Sequence, residues 1–327
     1  MVRYLLRRIG AMCLALFLIT SLTFFMMKAV PGGPYDYEKR LPEVIERNIN
    51  NKYHLNDPWI LQYRDYLLCA ARFDFGPSFT YQSRSVNEII SEGFPVSAQL
   101  GIVAVVIALF FGLILGVISA LKKNKIIGCL VTTIMTLGFS IPSFVIGFGL
   151  MYLFAYKFRF FPPAMWGSWK HMVLPAAAMA LFPMAVIARL VKFNIEEVLQ
   201  QDYIKTARAK GLPEIMVVYR HGLKNALLPV ITYLGPLVAT VFTGSFVIEY
   251  IFNIPGLGQY YVSSIQNRDY TLIMGTTVFY SAFLMLLNLV VDIIYGIIDP
   301  RIKLIDAKEV NENGPISSGI FSTGTSK

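Results

Sequence analysis

Long apolar runs alternate with short polar ones along the chain, and six of the runs are nearly free of charge. They cover approximately Ile9–Val30, Ala98–Leu121, Ile126–Tyr156, Met172–Val191, Leu227–Ile251 and Leu272–Ile298. A hydrocarbon core about 30 Å thick takes roughly 20 apolar residues to cross as a helix. Lipid offers no partner to a backbone N–H or C=O, so each segment must satisfy its own by coiling. The pattern predicts an all-α polytopic membrane protein with six spans. The basic start of the first run looks like a secretory leader, but its apolar part is about 20 residues long and Lys28-Ala29-Val30-Pro31 is a poor cleavage site. Residues 1–30 are therefore expected to be a retained first span.

Between the first two runs, residues 31–96 have a soluble composition and form an insertion. Pro31-Gly32-Gly33-Pro34 ends the first helix, because neither residue type sustains one. Glu43–Asn50 and Trp59–Arg72 have helical spacing, with Pro58 suited to a helix start. In the second, Trp59, Tyr63, Tyr66 and Leu67 form an apolar stripe, which either packs on the membrane domain or offers a docking surface to a partner. Pro142, Pro175, Pro183, Pro229 and Pro236 interrupt the later runs, with Gly138, Gly147, Gly149, Gly235 and Gly244 nearby. A proline frees a carbonyl that neighbouring helices or a wet pathway must satisfy, so the kinks mark either a path or bundle packing. Gly112 and Gly116 have the spacing that lets two helices approach closely.

Composition agrees: 55% of residues are hydrophobic and only 15% are charged, against about 25% charged in soluble domains. The net charge of +9 is distributed as a topology signal and not as a nucleic-acid surface. Arg3, Arg7 and Arg8, Lys122, Lys123 and Lys125, and a dense group from Arg189 to Lys224 fall on one side with the tail. The short loops opposite hold only Lys157, Arg159, Lys170 and Arg268. Positive-inside logic puts both termini in the cytoplasm. Cys13, Cys69 and Cys129 are isolated, and His54, His171 and His221 are scattered, with no metal-ligand spacing.

No G-x-x-x-x-G-K-[ST] run and no H-E-x-x-H occur, so neither a P-loop nor a zincin site is expected. Charged residues deep inside the runs are scarce, the best exceptions being Asp292, Glu249 and Arg189, with Lys28 at a run's end. Ion-coupled carriers need intramembrane ionisable groups, so any transport would draw its energy from elsewhere.

The polar stretch Asp202–Pro229 interrupts this pattern most sharply. Asp202–Lys210 fits a helix with an acid first and bases last, as the helix dipole favours. Tyr203, Ala207 and Gly211 fall on one face, and Ala209 adds another small side chain. The stretch is either a solvated connection or a small-residue helix that a partner can approach closely.

"Asp-Tyr-Ile-Lys-Thr-Ala-Arg-Ala-Lys-Gly-Leu", followed by "His-Gly-Leu-Lys-Asn-Ala-Leu-Leu-Pro", resembles the cytoplasmic loop of bacterial binding-protein-dependent ABC transporter permeases. The narrower likeness is to the oligopeptide/dipeptide/nickel branch, on the subunit with the long first external loop. Further resemblances lie at residues 72–79 (Arg-Phe-Asp-Phe-Gly-Pro-Ser-Phe), 94–101 (Phe-Pro-Val-Ser-Ala-Gln-Leu-Gly) and 141–144 (Ile-Pro-Ser-Phe). Residues 254–258 (Ile-Pro-Gly-Leu-Gly), 268–270 (Arg-Asp-Tyr) and 299–304 (Asp-Pro-Arg-Ile-Lys-Leu) extend the likeness over residues 1–304. The broader permease pattern opens Glu-Ala-Ala, whereas this chain has Thr206-Ala207-Arg208 and a longer stretch from Gly211 to Pro229.

The resemblance implies the six-helix fold of type I ABC importer permeases, with a five-span core over 97–304 and a cytoplasmic coupling loop over 192–226. The tail over 305–327, rich in Gly, Ser, Thr and Asn, is expected from its composition to be disordered. The resemblance also implies that Asp202, Tyr203, Thr206, Ala207, Arg208, Ala209, Lys210, Gly211 and Leu212 form the ATPase-coupling loop. Pro142, Pro236 and Gly244 are expected to line the path. The implied partners are a second, homologous permease subunit, two cytoplasmic ATPase subunits, an extracytoplasmic peptide-binding protein and membrane lipid. ATP and Mg would sit on the ATPases, with no cofactor on this chain. Oligopeptides are the expected cargo in a bacterial inner membrane. The alternatives are dipeptides, nickel or metal chelates carried by the same class, or an ion-coupled secondary carrier using Asp292 or Glu249.

Overall fold

A computed structural model describes residues 2–29, 57–81, 83–121, 125–211, 213–217 and 223–298. The expectations for Pro31–Pro34, for the Glu43–Asn50 helix, for Leu212 and for the 305–327 tail lie outside the described residues. The helices are α1 (Val2–Ala29), α2 (Trp59–Ala71), α3 (Val86–Leu121), α4 (Lys125–Ser140), α5 (Ser143–Leu150, continued by a π-helical stretch Met151–Lys157) and α6 (Trp169–Val198). Then follow α7 (Asp202–Ala209), α8 (Glu214–Val217), α9 (Leu223–Ile251), α10 (Leu257–Gln266) and α11 (Tyr270–Ile298). Among the described residues no strand forms, only an isolated bridge between Pro77 and Ser85.

Four of these helices, α1, α3, α6 and α11, are long and apolar enough to cross a membrane. The expected single span Ile126–Tyr156 is instead two pieces, α4 and α5 with its π-helical continuation, bent by 114° to one another. They make a fifth candidate if taken as one broken span. Pro142 is the cause: it disfavours helical backbone at Ile141 and itself sits at φ −57°, ψ 142° as the cap of α5. Helix α9 coincides with the window Leu227–Ile251.

Helix α6 is the centre of the bundle, flanked by α3, α4, α5 and α9. Its buried alanines, Ala176, Ala178, Ala180, Ala185 and Ala188, keep its surface thin so that neighbours come close. Pro175 and Pro183 sit buried within it. Gly112 and Gly116 supply the matching surface on α3: a Cβ on Gly112 would lie 2.9 Å from Ile187, and one on Gly116 would lie 2.6 Å from Val191 and 2.7 Å from the Ala188 carbonyl. The small-residue spacing is thus the seam of the two central helices, which run parallel. Gly116→Ala is expected to destabilise the bundle by about 1–3 kcal/mol through overpacking, read as a fall in thermal midpoint of the purified protein. Gly149→Ala, with open space around its Cβ position, should melt with the wild type, and equal midpoints for all three proteins would show that the seam gives way freely.

A second core, containing Phe75, Val86, Ile89, Leu257 and Leu272, closes the end of the bundle where α2, α3, α10 and α11 meet. Helix α2 docks on α1: Tyr66 stacks on Phe24 with ring centroids 5.8 Å apart, Tyr63 OH lies 2.5 Å from Ser21 Oγ, and Lys28 donates to Gln62. The Tyr63–Tyr66 part of the aromatic stripe therefore packs on the membrane domain, while Trp59 remains 58% exposed. Helix α1 also lies along α11, where Arg8 pairs with Asp292. His171 has a structural place as well: its Nδ1 lies 2.9 Å from Ser168 Oγ and accepts the Ser168 N–H at 3.3 Å, closing the start of α6.

Candidate functional site

The α3–α6 seam runs from the closed end, which holds α2 and α10, to the end where α6 gives way to α7. At that far end α7 and α8 form a small helical elbow. Asp202 opens α7 and Arg208 stands in its last turn, each favourable to the dipole. Lys205 donates to Asp202 at 2.8 Å, but both are so exposed that the pair adds little stability. Ile204 and Ala207 turn inward against Val217, Val198 and Leu199. Ala207 thus builds the elbow's own small core, while Tyr203 and Gly211 are exposed. Tyr203, Thr206, Arg208, Ala209 and Lys210 are exposed. Gly211 ends the helix at φ +78°, its N–H donating to the Arg208 carbonyl at 2.9 Å, a conformation that suits glycine.

At the closed end two buried acids join segments distant in sequence. Glu249, near the end of α9, is fully buried. Its Oε2 accepts the Gly258 N–H at 2.8 Å and the Ser97 hydroxyl at 3.0 Å, and Ser97 Oγ in turn accepts the Leu257 N–H at 2.9 Å. The carboxylate thus sits at the start of α10, where exposed N–H groups favour an anion. Glycine is required around it: a Cβ at Gly256 would run into Glu249 Oε2 and stand 2.7 Å from Ser97 Oγ, and one at Gly93 would lie 3.0 Å from the Leu257 nitrogen.

Asp269, also fully buried, caps α11 by accepting the Leu272 N–H at 3.1 Å and the Thr271 hydroxyl at 3.0 Å through Oδ1. Its Oδ2 accepts from the Ser78 hydroxyl and from the Thr80 N–H at 3.0 Å. Thr271 also donates to the Pro77 carbonyl at 2.6 Å. Beside this knot Arg84 lies over the Tyr260 ring, pairs with Glu92 and has its pKa raised, first by its bond to the Tyr260 hydroxyl. Burial, then the neighbouring Tyr260 and Asp269, push the Tyr81 hydroxyl above its ordinary value, so it stays neutral. Reasoning from the sequence missed both junctions, although the signal was present. Segments 94–101 and 254–258 meet at Glu249, and segments 72–79 and 268–270 meet at Asp269.

The third feature is the α4–α5 break. A cavity of about 280 Å³ opens there, lined by residues that include Ser140, Pro142, Ser143, Pro183 and Val241. Of the expected path residues, Pro142 is therefore at a cavity. Pro236 and Gly244 lie in α9 on either side of Val241 in sequence, and their side-chain surroundings fall outside the described ones. Among the described residues no cluster of His, Cys, Asp and Glu suited to a metal occurs.

Residues 1–101 match the N-terminal part of the binding-protein-dependent transport system membrane component, and residues 112–304 match the inner membrane component family of the same systems. The dipeptide transport system permease protein DppB of Bacillus subtilis is 51% identical over 304 residues, covering 93% of this chain and 99% of that protein. The oligopeptide transport system permease protein OppB of Salmonella typhimurium is 43% identical over 305 residues, covering 93% and 100%. Among solved structures, the crystal structure of an amino acid ABC transporter with histidines superposes with a TM-score of 0.53 at 16% identity over 64% of this chain and 94% of that one, a likeness of fold. With its apolar helices and near-full-length relatives, the chain belongs to the binding-protein-dependent transport system inner membrane components.

Proposed function

We propose that this chain is the permease subunit of an ATP-driven importer for peptides, forming half of the translocation path. The near-full-length identity to peptide-system permeases carries the reading. Oligopeptides are the proposed cargo. Dipeptides are the second reading, which the 51% identical relative favours. In this reading the chain has six spans, the distribution of its basic residues supports cytoplasmic termini, and the 31–96 insertion lies outside, where a peptide-binding protein docks. A second, homologous permease completes the path, and two ATPase subunits hold ATP and Mg and do all the hydrolysis. In this reading α7 is the coupling helix, presenting Tyr203, Thr206, Ala209 and Lys210 to an ATPase groove while Ala207 anchors the elbow to the bundle. ATP-driven closure of the ATPases moves the elbow and shifts the permease pair between inward- and outward-open states.

The ion-coupled carrier has less support, because Asp292 is paired with Arg8 and Glu249 is committed to Ser97 and Gly258. Co-purification of the whole transporter tests the coupling role. A bulky residue at Gly211 would strain its φ of +78°, so Ala209→Trp, on the exposed face, is the cleaner variant. The expected result is at least about a tenfold loss of bound ATPase with an unchanged permease melting profile. Equal recovery of ATPase would remove α7 from the interface. Peptide uptake that follows an ion gradient without ATP would revive the carrier.

A further inference from the structure

The cavity at the α4–α5 break combines features that suit one kind of guest. It lies against residues 179–183, near the middle of the thirty-residue α6 and therefore midway along the bundle. At about 280 Å³ it is close to the lower end of the roughly 300–1,000 Å³ of small-molecule sites. None of its lining residues is charged, so it has nothing to pair with a peptide terminus, an acidic or basic side chain, or a phosphate. It does have neutral polar groups. Ser140 and Ser143 line it, and among the described residues neither hydroxyl makes a hydrogen bond. Pro183 lacks the N–H that would bond the Met179 carbonyl in a regular helix, and Met179 is also in the wall. The rest is apolar, with Phe139 and Phe182 meeting edge to face at 5.7 Å and Val241 also in the wall.

We infer that this cavity is a subsite for the backbone of a translocating peptide, with the Ser140 and Ser143 hydroxyls and the Met179 carbonyl bonding its amide groups. The inference rests on the peptide-importer reading. A peptide leaving water loses the partners of every N–H and C=O, each costly to bury unmet. A serine hydroxyl can donate to a carbonyl or accept from an N–H, and a carbonyl accepts from an N–H. These groups therefore replace water for either backbone group. Side chains meet only phenyl and aliphatic surface, which distinguishes them weakly. The site reads what all peptides share and ignores what distinguishes them. A lipid chain filling the same space would leave both hydroxyls without partners.

The test is uptake of trialanine and of its singly backbone-N-methylated analogue by the complete transporter in proteoliposomes, with one binding protein throughout. Because the binding protein is common to all samples, a change in the uptake ratio between permease variants reports the permease. Wild type should favour trialanine, and Ser140→Ala/Ser143→Ala should lower trialanine uptake by about three- to tenfold, the effect of losing neutral hydrogen bonds, while barely changing the analogue. The ratio then falls toward one. Ser143→Thr, which keeps the hydroxyl, should preserve it and so separate lost bonding from damaged folding. A ratio unchanged in the double variant overturns the subsite alone. A wild-type transporter that takes up neither peptide removes the peptide reading and the subsite with it.

Discussion

Replacing Glu249 by alanine is expected to have the largest effect of any single substitution in this protein. The change strands the Gly258 N–H and deprives Ser97 of its acceptor, all within a fully buried region. Each buried polar group left unmet costs roughly 1–3 kcal/mol, a large share of a total of about 5–15 kcal/mol. The loss should appear as a marked drop in thermal midpoint and a several-fold lower level in the membrane. Glu249→Gln keeps one acceptor for the Gly258 N–H and should be milder. Gly256→Ala attacks the same lock from the other side, since its methyl group would displace the carboxylate from Ser97. Wild-type melting of Glu249→Ala would show that the start of α10 holds without the acid.

Substitution of Asp269 should have the next largest effect, and two replacements separate its two duties. Alanine removes both the α11 cap and the tie to Ser78 and Thr80. Asparagine retains an oxygen for the Leu272 N–H but turns an amide toward the Thr80 N–H, so two donors face each other. Asp269→Asn is therefore expected to loosen residues 77–81 while leaving α11 in place. Bonds to a charged acceptor are worth roughly 1.5–3 kcal/mol, so amide exchange at Thr80 should speed up by at least about tenfold while α11 keeps its protection. Uniform acceleration over both segments would mean that the cap and the tie cannot be separated.

Much of the bundle could be read from the chain because lipid allows so few solutions. Uncharged runs of helical length specify α1, α3, α6 and α11 by themselves, and the proline at 142 announces a break. What the break does is set by packing, since a helix can continue past a proline with a kink or stop there. Here α5 turns away by 114°, which periodicity does not encode. The elbow was legible as a helix from its charges, but which side faces inward depended on α8. Val217 lies beyond the helix in sequence and nevertheless claims Ile204 and Ala207. The junctions at Glu249 and Asp269 were hardest, because each joins segments more than 150 positions apart. A fragment such as Ile254–Gly258 can look distinctive in sequence without disclosing which segment it meets.

The contact between Arg8 and Asp292 fastens α1 to α11 across 284 positions. Helix α1 is made long before α11, along which it lies. At translation rates of roughly 5–20 residues per second, the first helix waits on the order of 15–60 s in the bilayer for that neighbour. During that interval Arg8 lacks the Asp292 carboxylate. Helix α1 thus joins the outside of the bundle only after nearly all of the other helices have been made, and a ribosome that stops short of Asp292 leaves Arg8 without that carboxylate.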